Sequence, residues 1–499
     1  MKRKLFFILL MLISLLSACG TGKNQKEGNT DIDAVEINLS DEKITVDGES
    51  VSTNAEDDVY AASDIVYYEE GKDFTYGEGT EKDAHSAEEA QAHTVVHITK
   101  AGTYSLSGKL SKGQIAVDLG EDAKEDPNAV VTLILNGADI TCEVAPAVIF
   151  YNVYECGNAD TKEASKDVDT SSAGANVIIA DGTTNRVQGS YVERIYKPDS
   201  VVLNEEKTEV EDAKKLHKYD GAFYSKMSMN INGGEKNTGT LDIYADNEGL
   251  DSELHLTING GNINIYSGND GINTNEDGVS VTTVNGGTLT ILVTGETGEG
   301  DGIDSNGWLV INGGTVIASA CSNSADAGID SDMGIHINGG TVIATGHMLD
   351  RIEEGGQTYA VFNFAKKQDG TNTMVMKNDK EDAVLNHAVE NSYSILVYSS
   401  PDLKEGTYTL WSNEKQLGGV NSGMSGGIGM PGGNIGGMRP EGQIPGGEMP
   451  EGFPGGEMPE GFSGGEMPEG FPESENQELT AEFVIAAGAN MFSSIELLP

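Results

Sequence analysis

Four short phrases carry carboxylates at matching places along the chain: Glu248-Gly249-Leu250-Asp251-Ser252, Asp270-Gly271-Ile272-Asn273-Thr274, Asp301-Gly302-Ile303-Asp304-Ser305 and Asp326-Ala327-Gly328-Ile329-Asp330-Ser331. Asp220-Gly221-Ala222-Phe223-Tyr224-Ser225 is a degenerate earlier copy. Carboxylates interleaved with Asn, Ser and Gly offer the oxygens that a hard cation takes, since Ca²⁺ binds about six to eight carboxylate, carbonyl and water ligands. Glu248, Asp251, Asp270, Asp301, Asp304, Asp326 and Asp330 are therefore candidate calcium ligands. The alternative is that they fan outward into water or cap their own turns. Between Asn237 and Asp350 stand 16 acidic residues and no Lys or Arg, so that stretch cannot neutralise itself with its own ion pairs. Two carboxylates one strand spacing apart repel by roughly 1 kcal/mol in water and about 3 to 4 kcal/mol at an effective dielectric of 20. Something must offset that, and calcium is the expected cofactor.

The elements that hold these residues follow from a second phrase. Ile231-Asn232-Gly233-Gly234, Ile258-Asn259-Gly260-Gly261, Val284-Asn285-Gly286-Gly287, Ile311-Asn312-Gly313-Gly314 and Ile337-Asn338-Gly339-Gly340 recur at steps of 27, 26, 27 and 26 residues. Regular steps of this size mean stacked structural units. After each Gly-Gly, apolar and polar residues alternate, as in Asn262-Ile263-Asn264-Ile265-Tyr266, which is the period of a strand with one face buried. Three short strands and three turns per repeat describe one coil of a parallel β-helix, an all-β solenoid. The Asn-Gly-Gly and Asp-Gly corners are expected to supply positive φ angles. Equivalent residues of successive coils then lie about 4.8 Å apart. The apolar residues of the phrase form an interior ladder, and Asn232, Asn259, Asn285, Asn312 and Asn338 form an amide ladder.

The rest of the chain divides by composition. Met1 to Lys4 and the apolar run Leu5–Leu16 read as a secretory signal over residues 1–18, too short to span a bilayer stably. Leu16-Ser17-Ala18-Cys19 resembles a bacterial lipobox, which makes Cys19 the lipidation site, followed by a tether over 19–34. A lipoprotein held on the extracellular face of the cytoplasmic membrane is the expected product. Cys142, Cys156 and Cys321 form no metal-binding pattern and read as small buried hydrophobes, with a Cys142–Cys156 pair left open. Residues 416–478 are a disordered Gly/Pro/Met/Glu-rich insertion, in which Gly-Gly-Glu-Met-Pro-Glu-Gly-Phe repeats from Gly446, Gly455 and Gly464. A strand pair is expected over 479–499. The formal charge of −49 over 499 residues excludes nucleic acid as a partner, because phosphate recognition needs basic patches.

The succession of coil phrases resembles the clostridial carbohydrate-binding β-helix lipoproteins. The resemblance runs from Ile37-Asn38-Leu39-Ser40 and Ile44-Thr45-Val46-Asp47-Gly48 through Ala101-Gly102-Thr103-Tyr104-Ser105-Leu106-Ser107-Gly108. It continues over Leu133-Ile134-Leu135-Asn136-Gly137-Ala138-Asp139 and the Asn-Gly-Gly coils to Thr407-Tyr408-Thr409-Leu410. It implies a right-handed, pectate-lyase-like parallel β-helix over 35–415, clearest in the coils of 220–346, with calcium at coil corners. It also implies a polysaccharide partner, acidic (polygalacturonate, pectin) or cellulosic. Residues 155–173 and 196–215 read as longer charged insertions, and the segment from Ser52 to Ala92 is unusually acidic.

Three functional classes follow. A non-catalytic binder would bridge its acidic face to uronates through calcium, and stack sugars on Tyr244, Tyr266 and Trp308. A polysaccharide lyase would need a base, commonly Arg or Lys, near the substrate carboxylate; residues 237–350 hold neither, and Lys207, Lys214, Lys215 and Lys218 lie in or beside an insertion. A glycoside hydrolase would need a carboxylate pair, which Asp301, Asp304 and Asp330 could supply. The third class is a structural surface adhesin without sugar specificity. Binding without catalysis is the expectation.

Overall fold

The computed structural model describes residues 34–217, 219–422 and 479–498. The signal segment, Cys19, all of the tether except Ala34, and residues 423–478 lie outside the described residues. The architecture is all-β: among the described residues the only α-helix is Ala87–Gln91, closed by a capping box between Ser86 and Glu89.

Parallel strands pile into three stacks, which the chain visits in the same order on every repeat. The first holds Ala175–Ile179, Met229–Gly233, His255–Ile258, Val281–Val284, Trp308–Ile311 and Gly334–Ile337. The second holds Thr184–Gly189, Thr240–Ala245, Asn262–Ser267, Thr288–Val293, Thr315–Ser319 and Thr341–Gly346. The third runs through Gly113–Asp118, Val148–Asn152, Gly221–Ser225, Glu248–Ser252, Ile272–Thr274 and Ile303–Ser305. Three strands per repeat is what the alternating pattern predicts.

The core sits between the stacks, because in each stack every second residue is apolar and points inward. Ile231, Ile258, Val284, Ile311 and Ile337 pair directly with one another and are fully buried. Leu241, Ile263, Leu289, Val316 and Val342 do the same in the second stack, and Leu250, Ile272 and Ile303 in the third. Beside the first of these columns the asparagines bond in series. The Nδ2 groups of Asn259, Asn285, Asn312 and Asn338 donate to the Oδ1 atoms of Asn232, Asn259, Asn285 and Asn312 at 2.8 to 2.9 Å.

The glycines divide their labour differently from the sequence expectation. Positive φ is found at the second glycine of the Asn-Gly-Gly corners, Gly261, Gly287, Gly314 and Gly340, at 78° to 92°. The glycines of the acidic corners, Gly249, Gly271, Gly302 and Gly328, have no positive φ. They are required because the neighbouring rung comes too close: a Cβ on Gly271 would lie 2.2 Å from Ile291 Cγ2 and 2.6 Å from the Gly302 carbonyl oxygen.

The second stack ends at Thr341–Gly346, while the first takes one more parallel bridge, Ile335–Ile352. Tyr393–Ser399 lies antiparallel on Thr341–Gly346 and closes the exposed edge that a parallel stack leaves. The strands around it enclose a second apolar cluster built on Phe362, Phe483, Phe492, Tyr393 and Tyr398. The two C-terminal strands are present, but not as a pair. Phe483–Ile485 joins Gly406–Ser412, and Ala489–Leu497 joins Tyr359–Gln368 and Lys415–Asn421. Lys415–Asn421 also takes the first residues of the expected low-complexity segment into this sheet. Cys142, Cys156 and Cys321 are unbridged.

Gly271→Ala is expected to lower the unfolding free energy by about 1 to 3 kcal/mol, because neither the backbone nor Ile291 has room to yield. Asn285→Ala, which interrupts the amide ladder in the middle, is expected to cost about 1 kcal/mol. Urea denaturation of both variants measures these losses, and an unaltered midpoint for Gly271→Ala would show that the corner has slack.

Candidate metal centre

The third stack and the turns that enter it gather the acidic phrases. Asp251 pairs with Asn273, and Asn273 with Asp304, so the expected column exists in register. Its carboxylates gather into two groups. Asp220, Glu248 and Asp251 are buried, with ligand oxygens within 4.8 Å of one another; Asp301, Asp304 and Asp330, half-buried, form the second group within the same distance. Asn273 lies on the rung between. Its Nδ2 donates to Glu248 Oε1 at 3.0 Å, while its Oδ1 is buried and receives no hydrogen bond.

Asp270 and Asp326 stand apart from the two groups, because each has a carboxylate oxygen on the backbone of an adjacent rung. Asp270 accepts from the Asp301 N–H at 2.7 Å, and Asp326 from the Gly300 N–H at 2.6 Å. Asp301 likewise accepts from the Ala327 N–H at 2.5 Å. These bonds tie rung to rung and hold the next carboxylate close to the one before. Their remaining oxygens leave Asp270 and Asp326 as neighbours of the second group; both raise the pKa of Asp301 or are raised with it.

Electrostatics separates the two groups. The first has a cation from outside the repeats: Arg194 Nη2 lies 3.2 Å from Asp220 Oδ2, and its guanidinium also senses Glu248. Acidic residues 237–350 contain no such cation, but Arg194 enters from the segment before them. In the second group burial lifts Asp301 to about 8, with Asp330, Asp304 and Asp326 adding to the rise. Burial lifts Asp330 to about 7, with Asp350 and Asp304 as the strongest neighbouring charges. Burial followed by Asp301 and Asp304 pushes Asp270 well above the usual carboxylate range. No lysine or arginine is among the charges that act on Asp301 or Asp330.

Asp220 and Asp350 join the site without having been selected by the repeat. The degenerate phrase at 220–225 was the only signal for Asp220: Tyr224 takes the register position of Asp251, and the carboxylate arrives from the turn before it. Asp350, which accepts from the Ser331 N–H at 3.1 Å, lies beyond the last acidic phrase.

The aromatic candidates are only partly assembled. Tyr244 and Tyr266 occupy paired outward positions in the second stack, with ring centroids 5.0 Å apart and planes within 10°. The Arg186 guanidinium covers Tyr244 at 4.8 Å. Arg186 and Tyr266 thus take up Tyr244, and a sugar meets this column chiefly at ring edges. Trp308 belongs to the first stack, between Val281 and Gly334, and shares no ring contact with the tyrosines among the described residues.

The insertions pack against the stacks. The hydroxyl of Thr170 lies 2.7 Å from both Asn230 Oδ1 and Thr257 Oγ1, which lays residues 166–171 along a groove of about 520 Å³ beside Asn259, Asn285 and Asn312. Residues 195–216 fold instead against residues 65–78: the bridge Gly77–Ile195 joins the two segments, and Tyr196–Lys215 closes the second segment's own hairpin.

An all-oxygen donor set, an open buried amide oxygen and raised carboxylates together match a hard divalent cation. Because Asp301 and Asp330 have pKa values above their unfolded ones, their contribution to stability is complete below about pH 4 and is lost as pH rises through about 7 and 8. In EDTA the melting temperature should therefore fall over that range. Asp301→Asn should flatten the fall, and added Ca²⁺ should reverse it in the wild type. Thermal scans from pH 5 to 9 test this; a wild-type profile that does not decline, or that Ca²⁺ does not lift, refutes it.

Comparison with known proteins agrees in outline. A family model described as "Carbohydrate-binding domain-containing protein" matches residues 92–382. No curated protein matches the sequence. A solved structure described as the polysaccharide lyase-like protein from C. thermocellum, gadolinium derivative, aligns at 19% identity over 62% of this chain and 90% of that chain. Its TM-score is 0.37, a likeness too loose to assign an activity.

Proposed function

The chain belongs to the carbohydrate-binding domain-containing family, and from that premise we propose that it is a non-catalytic polysaccharide-binding protein whose stacked rungs form a right-handed parallel β-helix bearing calcium. Its partner is an acidic polysaccharide of the polygalacturonate or pectin type, with cellulosic glycan as a second class. Cys19 carries the lipid that holds the protein on the extracellular face of the cytoplasmic membrane.

The observation that carries this reading is the second carboxylate group. Asp301, Asp304 and Asp330 lie within the span matched by the family model, close enough to share one ion. Bound there, calcium would neutralise the group and leave coordination sites for carboxylates from outside. Glu248, Asp251 and Asp220 are the residues that would hold a further ion, with Asn273 Oδ1 between the two groups. A chain of net charge −49 repels a polyuronate, so a cation between them supplies the attraction that the protein's own side chains do not.

A catalytic alternative has one observation in its favour. Asp301 stays protonated near neutral pH beside Asp304, which is an acid next to a potential base. Against it, residues 237–350 offer no Lys or Arg for uronate elimination. Incubation with polygalacturonate separates the readings: a lyase releases unsaturated product that absorbs in the ultraviolet and a hydrolase releases reducing ends, while a binder releases neither.

Retention on immobilised polygalacturonate should require Ca²⁺, be lost in EDTA, and fall at least tenfold in the double variant Asp304→Asn/Asp330→Asn. Retention that persists unchanged in EDTA rejects the calcium bridge. A chain that holds no glycan at all on an array rejects the whole reading and favours a structural adhesin. Joint alanine substitution of Tyr244 and Tyr266 without any loss of retention removes those tyrosines from the glycan surface.

A further inference from the structure

We propose that the cavity between residues 65–76 and 195–216 is a second glycan site, specific for neutral oligosaccharides and independent of metal. The proposal rests on the reading of the protein as a glycan binder, but on none of its acidic residues. The cavity has a volume of about 700 Å³, within the range of ligand pockets, and Tyr67, Tyr76 and Tyr196 line it together with Ile195, Val66 and Leu216.

Three features point to a ligand. The first is apolar exposure. Val66 (38% exposed) and Leu216 (56%) lie in the wall, and Phe74 (48%) and Val202 (50%) adjoin wall residues. Of the nine large exposed hydrophobic residues among the described part of the chain, two line this cavity and two more are next in sequence to residues that do. Concentrated apolar surface rimmed by polar groups marks a binding surface, whereas scattered hydrophobes do not.

The second feature is a preformed frame. The Tyr68 ring is buried, its hydroxyl donates to the Gly79 carbonyl at 3.1 Å, and it meets Tyr76 edge-on at 5.0 Å. Gly77 has no room for a Cβ, which would lie 2.8 Å from the Tyr68 ring and 2.4 Å from the Arg194 carbonyl oxygen. Backbone bonds from Tyr196 N–H to the Tyr76 carbonyl (2.8 Å) and from Glu78 N–H to the Arg194 carbonyl (2.9 Å) join the two walls. Of the lining rings Tyr76 is the one held in this way, between Tyr68 and the Lys72 ammonium 5.2 Å from its centroid, and a ring fixed beforehand loses little entropy when a ligand meets it.

The third feature is charge, which selects the class of sugar. Among the described lining residues the only cation is Lys72, and it is already paired with Glu69 at 2.6 Å. Asp73 accepts from the backbone and hydroxyl of Thr75 at 2.9 and 2.6 Å. A uronate carboxylate would find no unpaired positive charge here and would face the field of the whole acidic chain. A neutral sugar brings apolar C–H faces to the tyrosine rings and hydroxyls to Glu69, Asp73 and the phenolic oxygens, and meets no such penalty. One wall, residues 65–76, lies outside the span that the family model matches, and the other, residues 195–216, lies inside it.

Titration calorimetry of the full chain with cellohexaose in EDTA tests the proposal. Wild type should bind, and Tyr196→Ala and Leu216→Asp should each bind at least tenfold more weakly at an unchanged melting temperature. Both weakened variants should retain Ca²⁺-dependent binding to polygalacturonate. If the two variants match wild type for cellohexaose, or if wild type holds polygalacturonate but not cellohexaose, this site is rejected while the preceding section's reading stands. If wild type holds neither glycan, both fall.

Discussion

Rungs of hydrogen-bonded strands stand about 4.8 Å apart, and the backbone permits no other spacing. Every side chain repeated in register must live with a copy of itself at that distance. Amides gain from it: each asparagine has a donor and an acceptor on opposite sides, so Asn232 to Asn338 bond in one continuous line. Apolar residues gain as well, since Ile on Ile fills the interior without a gap. Carboxylates lose. Asp301 and Asp304 from one phrase and Asp330 from the next lie with ligand oxygens within 4.8 Å of one another, where like charges repel.

The chain answers this conflict in two ways. At one end Arg194 reaches in from outside the repeats and lies against Asp220. At the other end the strongest influences on Asp301 and Asp330 among the described residues are burial and neighbouring carboxylates, which raise their pKa values. The first group is largely compensated by the protein itself, while the second depends on solvent conditions. Apolar surface is exposed elsewhere, at the tyrosine-lined cavity between residues 65–76 and 195–216.

What could be read from the sequence follows the same division. Interior columns, amide line and acidic column were all legible because the strand spacing converts a 26- or 27-residue step directly into contact. The function of the glycines was less legible: a positive φ and a missing Cβ look alike in sequence, and only the distance from Gly271 to Ile291 separates them. Asp220 and Arg194 were hidden because neither sits in a regular phrase, and their meeting depends on how a non-repeating segment folds back. The closing cluster was hidden for a similar reason, since its strands pair across large sequence separations, as Tyr359–Gln368 does, in parallel, with Ala489–Leu497. Tyr67, Tyr76 and Tyr196 carried no repeat signal, and their cavity exists only because two irregular segments bridge at Gly77–Ile195.

The asparagine line has a further consequence. Its links are identical and each reaches only its immediate neighbour, so nothing in it records how many members it has. Removing one complete unit, from one Asn-Gly-Gly to the next, would bring Asn259 to Asn312 in the same relation that Asn259 now has to Asn285. The protein can therefore change length in whole steps of about 4.8 Å, and a partial step would break every column at once. The length of the asparagine line is an integer in this architecture, and one more repeat would extend it without altering the bonds between its members.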